Sequence, residues 1–181
     1  MILVSDLPSE TIPLAGLRIL VTRQDTPESS LSEMLTIQGA SVIRMPMTMI
    51  TPPTSWALFD KTLQEASKID WAVFTSSNGV IHCLSRLKVS GLSPKIIFST
   101  LKIACVGQAT ASTLAENEII PELVPEHFQS EGLLSSFKQY DLKRKKCWLI
   151  QAESPREILA NALEKQGAQV VSTPVYRNVP A

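Results

Sequence analysis

The chain has 181 residues, is 44% hydrophobic and 19% charged, and balances 17 basic against 17 acidic side chains for a formal net charge of +0. That length supports a sizeable core in one or two domains, and a neutral balance supplies no global field to draw the chain to nucleic acid or a membrane surface. No apolar run approaches a membrane span, and the opening MILVSDLPSE has an early acid and no basic region, so the expected location is the cytoplasm. Residues 1–16 hold Pro8, Pro13 and Gly16 without a clear period and are expected to be a leader. Residues 17–22, LRILVT, predict a strand that ends at Arg23, with Asp25 and Thr26 as N-cap candidates and Pro27 at the first helical position. Leu31, Met34, Leu35 and Ile37 supply the buried stripe of that helix, and Gly39 ends it. Residues 40–50 predict a second strand, which Pro46 forces to an edge or out of its sheet. Strand, helix and strand in this order make one right-handed βαβ unit.

Pro52 and Pro53, in residues 51–55, mark a link, and residues 56–66 predict a helix with Leu58, Phe59 and Leu63 on one side. The strongest pattern follows. Trp71, Ala72, Val73 and Phe74 form an apolar run too short for a helix, so they predict a buried strand. Thr75, Ser76, Ser77, Asn78 and Gly79 break it, and Val80, Ile81, Cys83, Leu84 and Leu87 then repeat at helical spacing. Residues 103–106 predict a second strand, Gly107 turns the chain, and Gln108, Thr110 and Ser112 open a helix. Each is a joint where a strand runs into a helix N-terminus, whose unpaired N–H groups favour anions. Either joint alone reads more readily as an ordinary capped turn, since Ser, Thr and Asn are common caps. The pair points to a shared polar crevice outside the carboxyl ends of the strands.

Pro94 blocks direct continuation of the helix that ends before Gly91, and residues 96–100 allow a short helix. Residues 119–124 predict a short strand broken by Pro121, and residues 125–129 a loop. Ser130, Glu131 and Gly132 open a third helix, with Leu133, Leu134 and Phe137 on its buried side. The basic run 143–146 reads as a solvated turn before a strand at 147–150. A fourth joint at 151–156 carries Pro155 and Arg156 into a helix through Leu159, Leu163 and Gln166, closed by Gly167. Residues 169–175 predict the last strand, with Tyr176 and Arg177 directly after it.

Strands alternating with helices imply an α/β fold with a mainly parallel sheet. Cys83, Cys105 and Cys147 are widely spaced in apolar segments and read as reduced core thiols, while His82 and His127 stand apart from any second His or Cys. No metal site is expected. The chain has no GxGxxG, Walker lysine loop, GxSxG or HExxH, so neither dinucleotide binding nor NTP hydrolysis is supported.

Five segments in order, Thr22 with Arg23, VFTSSNGV at 73–80, VGQATA at 106–111, SEGLL at 130–134 and VYR at 175–177, resemble the uroporphyrinogen-III synthase family. The resemblance implies flavodoxin-like parallel sheets with flanking helices, in a two-domain architecture with one domain complete and the other partial. On it, residues 17–47 begin the first domain, 48–173 form the inserted second domain, and 174–181 return toward the first. It implies a cofactor-independent hydro-lyase of haem biosynthesis, which cyclises the linear tetrapyrrole hydroxymethylbilane with loss of water and inversion of the terminal ring.

Its substrate is a flexible polycarboxylate, suited to amides and hydroxyls rather than to a strongly basic surface. The substrate-binding candidates are therefore Thr75, Ser76, Ser77, Asn78, Gly107, Gln108 and Thr110, with Ser130, Glu131, Gly132 and Arg23 beside them. Tyr176 matches the family tyrosine and is the catalytic candidate as donor to the departing hydroxyl, or an amphipathic residue at a domain edge. Ala152 and Pro155 depart from the glycine-containing approach of the family to Arg156. One βαβ unit cannot bury its own apolar faces. The expectation is a fragment of a longer chain, inactive alone, or a remnant completed by a second copy in a homodimer. A non-catalytic module that keeps the joints for another anion or a partner protein stands as the alternative.

Overall fold

Trp71–Phe74 forms a strand buried along its whole length, and the second of the two units is arranged around it. The computed structural model describes residues 13–25, 30–125, 130–155 and 157–181, with the backbone alone for Ser130. The first twelve residues of the expected leader, the cap candidates Thr26 and Pro27, the expected loop at 126–129 with His127, and Arg156 lie outside the described residues. The chain divides into residues 1–50 with 179–181, and residues 51–178.

In the first unit, β1 (Arg18–Val21) pairs in parallel with β2 (Ser41–Arg44), Arg18 opposite Ser41 and Val21 opposite Arg44. Between them runs α1 (Leu31–Ile37). Ser30, rather than Asp25, caps this helix, its Oγ accepting the Glu33 N–H at 3.1 Å, the three-residue reach that suits a short hydroxyl side chain. Asp25 still serves the same turn by accepting the Ser32 N–H at 3.3 Å. The expected buried stripe is only partly realised. Leu31 and Leu35 are half-buried, but Met34 is 64% and Ile37 73% exposed. Leu31 and Leu35 lie four positions apart on one face, whereas Ile37 falls two-thirds of a turn from Leu31 and points away from the strands. Past Pro46, which has no N–H to donate, the chain resumes as β3 (Thr48–Thr51) in the other sheet, so the single strand expected at 40–50 is two.

That sheet has the order β3-β7-β6-β4-β5, with β4 (Trp71–Phe74), β5 (Lys102–Cys105), β6 (Lys146–Ala152) and β7 (Gln169–Pro180). β4 runs parallel to both β5 and β6, and β6 parallel to β7. Among the described residues six helices flank the strands, namely α2 (Ala57–Gln64), α3 (Ser77–Val89), α4 (Pro94–Phe98), α5 (Gln108–Glu116), α6 (Ser130–Phe137) and α7 (Ile158–Lys165). A single 3-10 turn, Ala66–Lys68, ends the segment expected to be one helix to residue 66. Leu58 of α2 and Ile81 of α3, both expected on buried faces, are exposed, because they sit at the margins of apolar stripes centred on Phe59 with Leu63 and on Val80 with Leu84 and Leu87. The strand expected at 119–124 reduces to one bridge, Leu123 opposite Ala104, because Pro121 has no N–H to offer a ladder.

The two faces of the sheet follow from strand alternation. Trp71, Val73, Cys147 and Leu149 pack with Leu133 and Phe137 of α6 and Leu159 and Leu163 of α7. On the other face Trp148 meets Phe59 at 5.3 Å between ring centres, and Phe74 meets Phe98 at 5.6 Å. The buried Trp148 indole donates to Thr173 Oγ1 at 2.7 Å, so it is satisfied where no water reaches. Burying each such aromatic side chain contributes about 1.5–3 kcal/mol, against about 1 kcal/mol for a typical cap at the joints.

Candidate functional site

Because β4, β5, β6 and β7 are parallel, their carboxyl ends lie along one edge of the sheet, and the chain turns into a helix at that edge. Ser76 caps α3 in extended conformation and its Oγ accepts the Gly79 N–H at 3.1 Å. Gly107 caps α5 with its backbone alone. The two joints are neighbours, since the Val106 N–H donates to Phe74 O at 3.1 Å. A Cβ on Gly79 would stand 3.3 Å from the backbone oxygen of Ile150, closer than such contacts ordinarily come. The missing side chain therefore lets the first turn of α3 lie directly against β6.

Thr75, Ser76, Ser77 and Asn78 are half-buried, Gly107 is half-buried, and Gln108 is exposed. Thr110, only 5% exposed, sits in the first turn of α5. These seven candidates thus share one edge of the sheet. Glu131 is exposed and Gly132 half-buried at the start of α6, which packs on the Trp71 and Val73 face. Among the described residues no hydrogen bond links Glu131 or Gly132 to Ser76, Tyr176 or Gly107. The side chain of Ser130 lies outside the described residues. Arg23 is exposed and follows β1 in the first unit.

Tyr176 belongs to β7, and a change of register aims its ring. Ile150 stands opposite Thr173 and Gln151 opposite Pro174, but Ala152 stands opposite Tyr176, so Val175 is an extra residue in β7. Parallel partners point to the same face, and the shift moves Tyr176 onto the face of Trp148 and Ile150, the face that α3 covers. There its hydroxyl is 3.1 Å from Ser76 Oγ, and either oxygen can donate. The ring is buried and stacks with His82 of α3, 5.9 Å between centres and 26° between planes. The Tyr176 carbonyl accepts the Glu153 N–H at 2.8 Å. The carboxylate of Glu153 in turn accepts the Thr54 N–H at 2.9 Å and the Thr54 hydroxyl at 3.0 Å, and the Arg177 guanidinium donates to Thr51 and Thr54. Both flanks of Tyr176 are thereby fixed.

Sequence reasoning overlooked His82, Glu153 and Thr54. The helical spacing of His82 against its apolar neighbours carries no sign of a partner 94 positions later. Burial holds the His82 imidazole below its ordinary pKa, so it is neutral at pH 7. Burial also pushes the Cys105 thiol up to about 11 and the Cys147 thiol to about 12, and raises Cys83 further, so none of the three supplies a thiolate. No cluster of three His, Cys, Asp or Glu able to hold a metal occurs among the described residues. Apart from the Glu153 carboxylate and the Arg177 guanidinium that flank Tyr176, what gathers at the edge is neutral: hydroxyls, first-turn amides, a phenol and an imidazole. Such groups can receive carboxylates and pass a proton.

These features define a flavodoxin-like α/β protein with its polar groups collected at the carboxyl edge of a parallel sheet. The family described as Uroporphyrinogen-III synthase HemD matches residues 29–181. The chain is 33% identical over 166 residues to a uroporphyrinogen-III synthase of Synechococcus elongatus, covering 92% of this chain and 62% of that protein. It is 27% identical to the porphyrin biosynthesis protein HemD of Ruminiclostridium josui, covering 91% of this chain and 32% of that one. A crystal structure of a mutant uroporphyrinogen III synthase from Thermus thermophilus superposes with a TM-score of 0.69 at 19% identity, over 91% of this chain and 64% of the other, and shares its fold. The chain belongs to the uroporphyrinogen-III synthase HemD family, and it spans under two-thirds of the length of these relatives.

Proposed function

We propose that the chain acts in uroporphyrinogen-III synthesis, holding hydroxymethylbilane folded while it closes to uroporphyrinogen III. In the proposed reaction the hydroxymethyl C–O bond breaks and its oxygen leaves as water. A carbon–carbon bond then closes the ring, and the terminal pyrrole is inverted through a spiro intermediate. The balance is one substrate to one product and one water, without oxidation or reduction, so protein groups suffice and no cofactor is required. Thr75, Ser76, Ser77, Asn78, Gly107, Gln108 and Thr110 would receive carboxylates of the substrate, with Ser130, Glu131, Gly132 and Arg23 as further contacts. Amides at helix N-termini and short hydroxyls bind carboxylates without a basic surface. Most of the rate gain would come from orientation of a floppy molecule.

The observation that carries this reading is the placement of Tyr176, hydrogen-bonded to Ser76 at 3.1 Å beside two neighbouring joints, in a chain of this family. Tyr176 would donate its proton to the departing hydroxyl, with Ser76 orienting the phenol. The three buried free thiols fit a reducing compartment, so the cytoplasm is the proposed location. The exposed apolar side chains of the first unit support a homodimer formed through it. The test is incubation of the complete gene product with freshly prepared hydroxymethylbilane followed by isomer analysis of the oxidised product. The inverted III isomer is expected, and formation of the spontaneous, uninverted I isomer alone overturns the reading.

A further inference from the structure

We propose that His82 is a positioning residue for Tyr176, fixing the plane of the phenol ring so that its hydroxyl stays on Ser76 Oγ at the β4–α3 joint. The proposal rests on the reaction proposed above. A tyrosine ring turns about a broad, two-fold χ2 torsion, and one hydrogen bond at the para oxygen pins only its tip. The face of the ring needs a second contact to define the plane in which the O–H lies. His82 provides it, with ring centres 5.9 Å apart and planes inclined by 26°. Its ring nitrogens make no hydrogen bond to any described residue, so no cap or strand contact accounts for an imidazole at this place. Ile81, next in the chain and exposed, shows that α3 accepts an aliphatic residue at its margin.

Three features bring the two rings together. Gly79 lets α3 lie against β6, the extra residue Val175 turns Tyr176 toward α3, and His82 stands three residues beyond Gly79 on that helix. The imidazole is flat like a phenyl ring but carries polar edges, which suits its half-buried position on α3.

The chain has two tyrosines, Tyr140 and Tyr176, so labelling tyrosine rings with carbon-13 gives two sets of NMR signals, separable with Y176F. In H82A the Tyr176 signals are expected to move while those of Tyr140, packed on Trp71, stay in place. With hydroxymethylbilane, H82A is expected to lose about ten-fold or more in kcat with little change in KM, as misplacement of a reacting group does. H82F, which keeps a flat ring, is expected to recover most of that loss. An unmoved Tyr176 signal in H82A, an unchanged kcat, or an H82F enzyme as slow as H82A each overturns the proposal. If the unmodified protein yields no III isomer, the proposed function has failed, and the Tyr176 spectrum alone decides whether His82 sets the ring.

Discussion

At the scale of single residues, Tyr176 and Ser76 form a pair that neither could form alone. Ser76 Oγ is already engaged by the Gly79 amide, which fixes its place at the head of α3 and leaves it able to bond the phenol. Replacing Tyr176 with Phe keeps the stacked ring and removes only the hydroxyl. Turnover in the isomer assay is expected to fall about 10²–10⁴-fold, the usual contribution of a positioned acid, with the fold unchanged. Undiminished turnover in Y176F would remove the phenol from the mechanism. Thr110 is buried in the first turn of α5, so T110V preserves its shape and deletes a donor. Substrate binding is expected to weaken by about 1–3 kcal/mol, and calorimetry or a shift in KM would read it. A T110V protein that binds as before has a threonine that serves packing. Glu131 and Gly132 share no hydrogen bond with Ser76 or Tyr176 among the described residues, so their substitution is expected to affect binding less than that of Thr110.

At the scale of elements, the two ends of the parallel sheet do different work. The carboxyl edge carries the joints, while the amino edge is stitched by Asp70. Its Oδ1 accepts the Lys145 ammonium at 2.8 Å, its Oδ2 the Lys146 N–H at 2.9 Å, and its backbone pairs with Lys146 on one side and Lys102 on the other. Burial raises the Asp70 pKa, but the bonds from Lys145 and Lys146 outweigh it and leave the carboxyl below its ordinary value. A folded-state pKa below the unfolded one stabilises the fold above about pH 4, and that contribution fades as the pH falls through the folded value. D70A is expected to cost about 1–2 kcal/mol at pH 7 in urea unfolding, with the gap to the unmodified protein closing below about pH 4. A gap independent of pH would mean that the charge of Asp70 contributes nothing.

Elements were also what the sequence made most legible. The apolar run Trp71–Phe74 ended by Thr75 and Ser76, and the run before Gly107, each stand in a short window where strand period and caps act locally, and both joints lie where the pattern puts them. The strand pattern at 119–124 overreads Leu123, which makes a single bridge, because pairing depends on a neighbour no local window contains. The stripe through Met34 and Ile37 is apolar in composition but has too little opposing surface to be buried. The meeting of Tyr176 with His82 and Ser76 needs a change of register between two strands, which residue type alone does not encode.

For the whole molecule, apolar surface is unevenly shared between the units. Leu17, Leu20, Met34, Ile37, Ile43, Met45, Met47 and Met49, all in the first unit, are at least 40% exposed. Surface of that kind favours association. Light scattering coupled to size exclusion is expected to show the mass rising with concentration, and the double variant M34K/I37K to shift the balance toward single chains. A constant monomer mass for the unmodified chain would count against a homodimer. No helix among the described residues is long and apolar enough to cross a membrane.

The extra residue at Val175 has an evolutionary corollary. Were the ladder to run on unbroken with every residue kept, Tyr176 would stand opposite Glu153 and its phenol would turn to the other side of the sheet. Lineages of this fold should therefore vary the side chain at Val175 more readily than the register that sets Tyr176 against Ala152.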